Sequence, residues 1–276
     1  MCRFLYVPAP HTSEVIADLL HDVLLDWHIE RNLSTITLDN CSTNDSVMRN
    51  MVGTSNENLR QRMDTVKGKL PLSSCMLQGK LVHMRCACHV LNLVVKDGMS
   101  VMEHGIDSIR EIVGFWSATP KRHEKFEKMA MQMKGKYDKK IALDCKTRWN
   151  STYLMLNTAL LYKDVFERLA ARAPCIPTRD DWQFAKDLCD RLKIFYDVTE
   201  LLSGTDYVTA NIFFSKITNI YLAIRKWQVS ANPKVEEMSS KMKEKFNKYW
   251  IDVHGLMAVA AVLDPRYKLH LLNALF

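Results

Sequence analysis

Apolar residues recur along this chain with two different periods. Val15, Ile16, Leu19, Leu20, Val23, Leu24 and Trp27 fall at three-and-four spacing behind Pro10, which predicts a helix beginning near Thr12 with one apolar stripe. Shorter stretches read as strands. RFLYV, residues 3 to 7, is apolar and stops at Pro8. STITLDN, residues 34 to 40, has a β-branched run that stops at Asp39, and CSTND supplies N-cap chemistry for a second helix through Asn50. A polar stretch over residues 53 to 75 reads as frayed helix and then loop. KLVHM, residues 80 to 84, predicts a third strand, leading into a helix from Cys86 to Val95 and, past Gly98, on to Phe115.

Beyond that point the helical period dominates. Thr147 to Ala171 is one helical stretch and Trp182 to Leu202 another, the latter with Trp182, Ala185, Leu188, Cys189, Leu192, Phe195 and Tyr196 on one face. Asn211 to Trp227 and Glu236 to Trp250 follow, with breaks at Gly204 and at Asn232-Pro233. The order is three strand–helix pairs and then a helical array, an α+β chain that is mostly α. HLLNALF closes the chain in apolar sequence without a cap, which reads as a stop inside an element.

Composition narrows the setting. The chain has 276 residues, 47% hydrophobic and 25% charged, enough for one large domain or two ordinary ones. No apolar run approaches the roughly 20 residues that cross a bilayer, and the N-terminus lacks the long apolar core of a signal peptide. Cytosol or nucleus is the expected setting, with the eight cysteines as reduced thiols. The net charge of +7 is concentrated: from Ser117 to Asn150 ten basic residues, Lys139, Lys140, Lys146 and Arg148 among them, stand against four acidic ones. Such a block suits a phosphate backbone, and equally a solvated lysine-rich surface.

Three stretches carry candidate chemistry. Asp39 lies at the C-terminal end of a predicted strand with a helix beyond it, where α/β sheets place ligands and metal ions; a turn or N-cap aspartate is the plainer reading. Cys86-Ala87-Cys88-His89 is C-x-C-H, so it is neither a haem attachment motif nor a thioredoxin pair, and no downstream pair completes a zinc finger. Cys86 and His89 remain, three apart on one helix face. Arg148-Trp149 precedes an Asn-Ser-Thr cap: arginine holds phosphate with its planar fork and tryptophan stacks on an unpaired base, whereas a core tryptophan beside an ion-paired arginine is the alternative. The polar neighbours of Trp149 favour a loop position. Leu154, Leu156, Leu160 and Leu161 are then the apolar positions of the following helix.

TLDNCSTND, RCACHVLNLVV and TRWNSTY, followed by KFNKYW and VAAVLDPRYKL, resemble in this order the hAT superfamily of DNA transposases, most closely the plant domesticated "sleeper"-type zinc-finger BED proteins. The resemblance implies an RNase H-like core interrupted by a helical insertion, with residues 1–115 a partial core, 116–255 the insertion and 256–276 the start of a C-terminal flank. It further implies that Asp39 matches one of three carboxylates (two Asp and one Glu) that hold two divalent ions for strand transfer. Cys86 and His89 match a supporting C-x-x-H motif. Arg148 and Trp149 match an arginine–tryptophan pair that contacts DNA, the Trp stacking on a flipped base.

The first Asp and the final Glu have no counterpart in these residues, so Asp39 is a remnant of the triad and at most a weak metal ligand. Two strands of the sheet are missing on the same reading. The expectation is therefore a catalytically inactive, transposase-derived DNA-binding protein of the nucleus that needs no cofactor, Mg2+ belonging only to a complete site. A truncated non-functional fragment, or a transposase completed by further sequence, are the other readings. DNA is the expected partner, together with homo- or heterodimers with full-length relatives, and neither membrane nor small-molecule substrate is expected.

Overall fold

The computed structural model describes residues 5–52, 69–70, 82–134, 137–250 and 255–269. The expected loop at 53 to 75 falls mostly outside them, as do the first residues of KLVHM, Lys136 and HLLNALF. The described residues divide into two units, one of residues 1–90 with 252–272 and one of residues 91–251 with 273–276.

In the first unit, α1 (Ser13–Asp26) packs on α2 (Ser42–Val52). The Thr12 hydroxyl accepts from the Val15 N–H and starts α1 as its N-cap. At the other end His28 sits at φ 53° and Ile29 N–H bonds back to Leu24, a left-handed turn that aims Ile29 at the core. Ala17, Leu24, Val47, Met48, Met51, Leu70 and Val82 make that core, with Ile36 and Leu38 laid against it. Strand β1 (Ile36–Leu38) pairs in parallel with β2 (His83–Arg85), Ile36 opposite His83 and Leu38 opposite Arg85. The two predicted strands that could pair do so, each shorter than its apolar run.

Residues 5 to 7 form no strand, which corrects the reading of RFLYV. A strand is stable only when its N–H and C=O groups find a neighbour, and among the described residues the sheet has two strands.

Helix α3 (Ala87–Met99) crosses from the first unit into the second. The second unit is built of helices joined by loops, with no strand among its described residues: α4 (Glu103–Ser117), α5 (Pro120–Lys134), α6 (Trp149–Leu161), α7 (Lys163–Arg168), α8 (Arg179–Leu202), α9 (Ala210–Trp227) and α10 (Pro233–Trp250). Helix α11 (Gly255–Leu263) returns to the first unit.

The division between units falls at Val90 rather than near residue 115, because α4 buries Ile106, Ile109, Ile112 and Val113 while packing on α6 and α8. A capping box at Thr178 and Asp181 starts α8, which turns Trp182, Ala185, Leu188, Cys189, Leu192 and Phe195 inward. Phe126 of α5 is fully buried against Phe166 (4.7 Å between ring centroids), Tyr162 (5.9 Å) and Trp116 (6.2 Å). Such aromatic pairs contribute about 0.5–1.5 kcal/mol each beyond the area they bury.

The buried face of α6 is only in part the predicted one, Leu156 alone of the predicted leucines being fully buried. Trp149, Thr152, Tyr153, Met155, Leu156 and Ala159 point inward, and Leu154 and Leu161 are exposed at 45% each. A helix apolar on most sides gives no single stripe to read, so its neighbours choose the face.

Candidate functional site

The parallel register brings two of the sequence candidates together. Leu38 lies opposite Arg85, and the Cys86 N–H donates to the Leu38 carbonyl at 2.8 Å, so Asp39 and Cys86 leave their strands side by side. Asp39 is exposed. Its Oδ1 accepts from the Cys41 N–H at 3.0 Å and from Asn44 Nδ2 at 2.6 Å, a turn that leads into α2.

Cys86 stands one residue before α3, at the positive end of the helix dipole. A hydrogen bond with the Cys88 side chain lowers its pKa most; burial opposes this, and the His89 and Cys88 backbone N–H groups and the His89 imidazole add to the lowering, which reaches about 5. Cys86 is therefore a thiolate at neutral pH. Beside it, Asp45 of α2 pairs with Arg85 at 2.9 Å and faces His83 Nδ1 at 3.8 Å, tying α2 to β2.

Paired divalent ions need several carboxylates about one point. Among the described residues no group of three or more His, Cys, Asp or Glu converges on a metal position. Asp39 already spends one oxygen on two hydrogen bonds. The described residues do not fit a two-metal centre.

The basic segment has a different character. Lys139, Lys140, Lys146 and Arg148 are exposed, and none of their charged groups meets a carboxylate among the described residues. The loop that carries them is held from within. Asp144 accepts from Arg110 Nε at 2.8 Å and Nη2 at 2.9 Å and from the Thr152 hydroxyl at 2.6 Å, joining α4, the loop and α6. Burial pushes the Asp144 pKa up, but the Arg110 fork and the Thr152 hydroxyl outweigh it and hold the carboxyl below its ordinary value. The Ser151 hydroxyl accepts from the Cys145 N–H and sits within hydrogen-bond reach of the Cys145 and Arg148 carbonyls.

This cross-brace escaped the sequence reading, since Arg110 and Asp144 are 34 residues apart and nothing local marks them as partners.

Trp149 is not in a loop. It is the first residue of α6, 5% exposed, with its ring edge-on to Phe195 of α8 at 6.5 Å. The polar neighbours that suggested a loop are the residues of a helix start, and Trp149, Thr152, Tyr153 and Leu156 already show the three-and-four spacing of a buried face. One side of the ring borders a cavity of about 170 Å³ that it shares with Lys96 and Lys146. At 5% exposure the ring in this arrangement is a core anchor.

Three family models match in succession: the ZBED1 RNase-like domain over residues 1–69, the ZBED1 RNase-like helical domain over 84–191, and the hAT-like transposase, RNase-H fold, over 211–276. The chain is 38% identical over 270 residues to a putative AC transposase of Zea mays, covering 96% of this chain and 32% of that protein. It is 33% identical over 277 residues to the zinc finger BED domain-containing protein RICESLEEPER 2 of Oryza sativa subsp. japonica, covering 99% and 36%. Over 270 residues it is 27% identical to the zinc finger BED domain-containing protein DAYSLEEPER of Arabidopsis thaliana, covering 97% and 37%. The chain spans about a third of the length of these relatives.

Proposed function

The chain belongs to the hAT-type transposases and their domesticated relatives, and from that premise we propose that it binds DNA, in the nucleus, through the exposed cations before α6, without itself cutting the strand. The observation that carries this reading is the run Lys139, Lys140, Lys146 and Arg148: four exposed positive groups without carboxylate partners among the described residues, on a loop braced by Asp144. Unpaired cations on a fixed frame suit phosphates, which are spaced regularly and carry no sequence information. Arg148 is the member whose planar fork can grip a phosphate with two hydrogen bonds.

Binding of this kind depends on counterion release, so affinity falls steeply with salt, with a logarithmic slope near −0.9 per phosphate neutralised. Reversing Lys139, Lys140 and Lys146 to Glu lowers affinity for a duplex oligonucleotide at low salt and flattens the slope by about 3. Unchanged affinity in that variant would overturn the reading. The absence of cutting rests on Asp39, which belongs to no group of three or more His, Cys, Asp or Glu among the described residues. The 276-residue polypeptide incubated with Mg2+ or Mn2+ leaves DNA intact. Cleavage that Asp39→Ala abolishes would overturn this part.

A further inference from the structure

On the helical unit, a cleft of about 720 Å³ lies between the loop before α6, the end of α6, the start of α7 and the first half of α8. Four cations border it, Lys139, Lys163, Arg179 and Lys186, against one carboxylate, Asp190. Lys163 shares part of its charge with Glu167 at 3.6 Å. Lys139, Arg179 and Lys186 meet no carboxylate among the described residues. Trp182 forms part of the wall; it is 2% exposed, and its Nε1 has no hydrogen-bond partner.

We propose that this cleft is a second phosphate-binding site, one that takes the sugar–phosphate backbone of a nucleic-acid strand running on from the basic loop. The proposal rests on the DNA-binding reading above and extends it to a defined groove. Three features favour a strand over a compact anion. Arg179 and Lys186 are seven residues apart on α8, two turns of one helix face and about 10 Å along its axis. That span corresponds to roughly three base-pair steps along a duplex axis at ~3.4 Å each, longer than a single compact anion reaches. Lys139 belongs both to the cleft and to the basic loop, so the two surfaces are continuous. Leu160 and Leu161 at the end of α6 add apolar lining against which a deoxyribose can lie while its phosphates meet the cations.

The test uses the full chain and separates this proposal from the one it rests on. The indole N–H signal of Trp182, assigned by its loss in Trp182→Phe, is followed by nitrogen–proton correlation spectroscopy while a duplex or single-stranded oligonucleotide is titrated in, and in a second titration inorganic triphosphate. In parallel, DNA affinity is measured for the double variant Arg179→Glu/Lys186→Glu and for Lys140→Glu/Arg148→Glu, which lies outside the cleft, each checked for an unchanged melting temperature.

The expected result is a shift of the Trp182 signal with DNA. With it come a loss of about tenfold in affinity and a salt slope shallower by about 2 in the cleft variant. Full affinity in the cleft variant, together with weakened binding in the loop variant, overturns the cleft and leaves the DNA reading standing. A Trp182 signal that moves with triphosphate and ignores DNA overturns the assignment to a strand. Failure of the unmodified chain to bind DNA under any low-salt condition overturns both.

Discussion

Asp144 grips Arg110 through two parallel hydrogen bonds, 2.8 and 2.9 Å long, with the carboxylate side chain wholly inaccessible and the guanidinium 16% exposed. Removing Arg110 leaves the enclosed Asp144 carboxylate with the Thr152 hydroxyl alone, a loss of ~3–5 kcal/mol in comparable sites, whereas Arg110 keeps Asp107 as a second partner when Asp144 is removed. Arg110→Ala therefore lowers the melting temperature by about ten degrees, and Asp144→Ala lowers it by less. Because the pair shapes the loop carrying Lys139, Lys140 and Lys146, both also weaken DNA binding at temperatures where the chain is still folded. A variant that melts normally and binds normally would show that the brace is idle.

The same pair sets a pH dependence. The folded pKa of Asp144 lies below its ordinary value of 3.8. Its contribution is therefore complete above that ordinary value and is lost as pH falls toward the folded one. Stability measured by denaturant titration should drop below about pH 4 in the native chain, and Asp144→Asn should be less stable at neutral pH with a weaker acid dependence over that window.

Cys86 and Cys189 form a built-in comparison. The first has its pKa drawn down to about 5, and burial pushes the second up to about 12. Iodoacetamide at pH 7 modifies Cys86 well before Cys189, read by peptide mass, and the Cys86 rate falls as pH is lowered through about 5. Cys88→Ala removes the largest lowering contact and shifts that midpoint upward. The folded value is below the unfolded 9.0, so the stabilisation that Cys86 provides is complete above pH 9, declines as pH falls and is gone below about 5.

Trp149→Ala should behave as a core truncation and not as loss of a DNA contact. Deleting a buried tryptophan costs roughly 3–5 kcal/mol. The ratio of affinities for unpaired and duplex DNA stays as it was. A selective loss for unpaired DNA at unchanged stability would return Trp149 to a stacking role.

Gly105 of α4 meets Phe184 of α8 so closely that a Cβ would lie 2.5 Å from the ring. Alanine ordinarily gains up to ~1 kcal/mol over glycine in a helix. Here the Phe184 ring must shift to admit the methyl group, and Gly105→Ala is expected to lose ~1–3 kcal/mol. Phe184→Leu in the same chain should recover part of the loss, which a double-mutant cycle measures.

The sequence disclosed what depends on local order. STITL and KLVHM were legible as strands, and the start of α3 after Cys86 follows from a strand ending in a helix-capping position. What it concealed depends on partners far along the chain. RFLYV looks like a strand because its residues are apolar, yet pairing and not apolarity makes a strand. Leu154 and Leu161 look buried because leucine usually is, while the inward face of α6 is selected by Phe195 and Tyr196 across the interface. Trp149 was misread for the opposite reason: its polar neighbours begin a helix, and the buried spacing runs forward from it.

The sheet in the first unit is three residue pairs long, and its last bond runs from the Cys86 N–H to Leu38, the residue before Asp39. The turn that starts α2 and the thiolate that starts α3 are thus joined by this bond, beside the Asp45–Arg85 pair. Any fluctuation that lifts Asp39 from its place either carries Cys86 with it or breaks that bond first. The deuterium uptake of a single amide, that of Cys86, is consequently a clock for this corner of the molecule. It times how often the strand end, the reactive sulfur and the acidic turn part company, without a ligand or a substitution to report it.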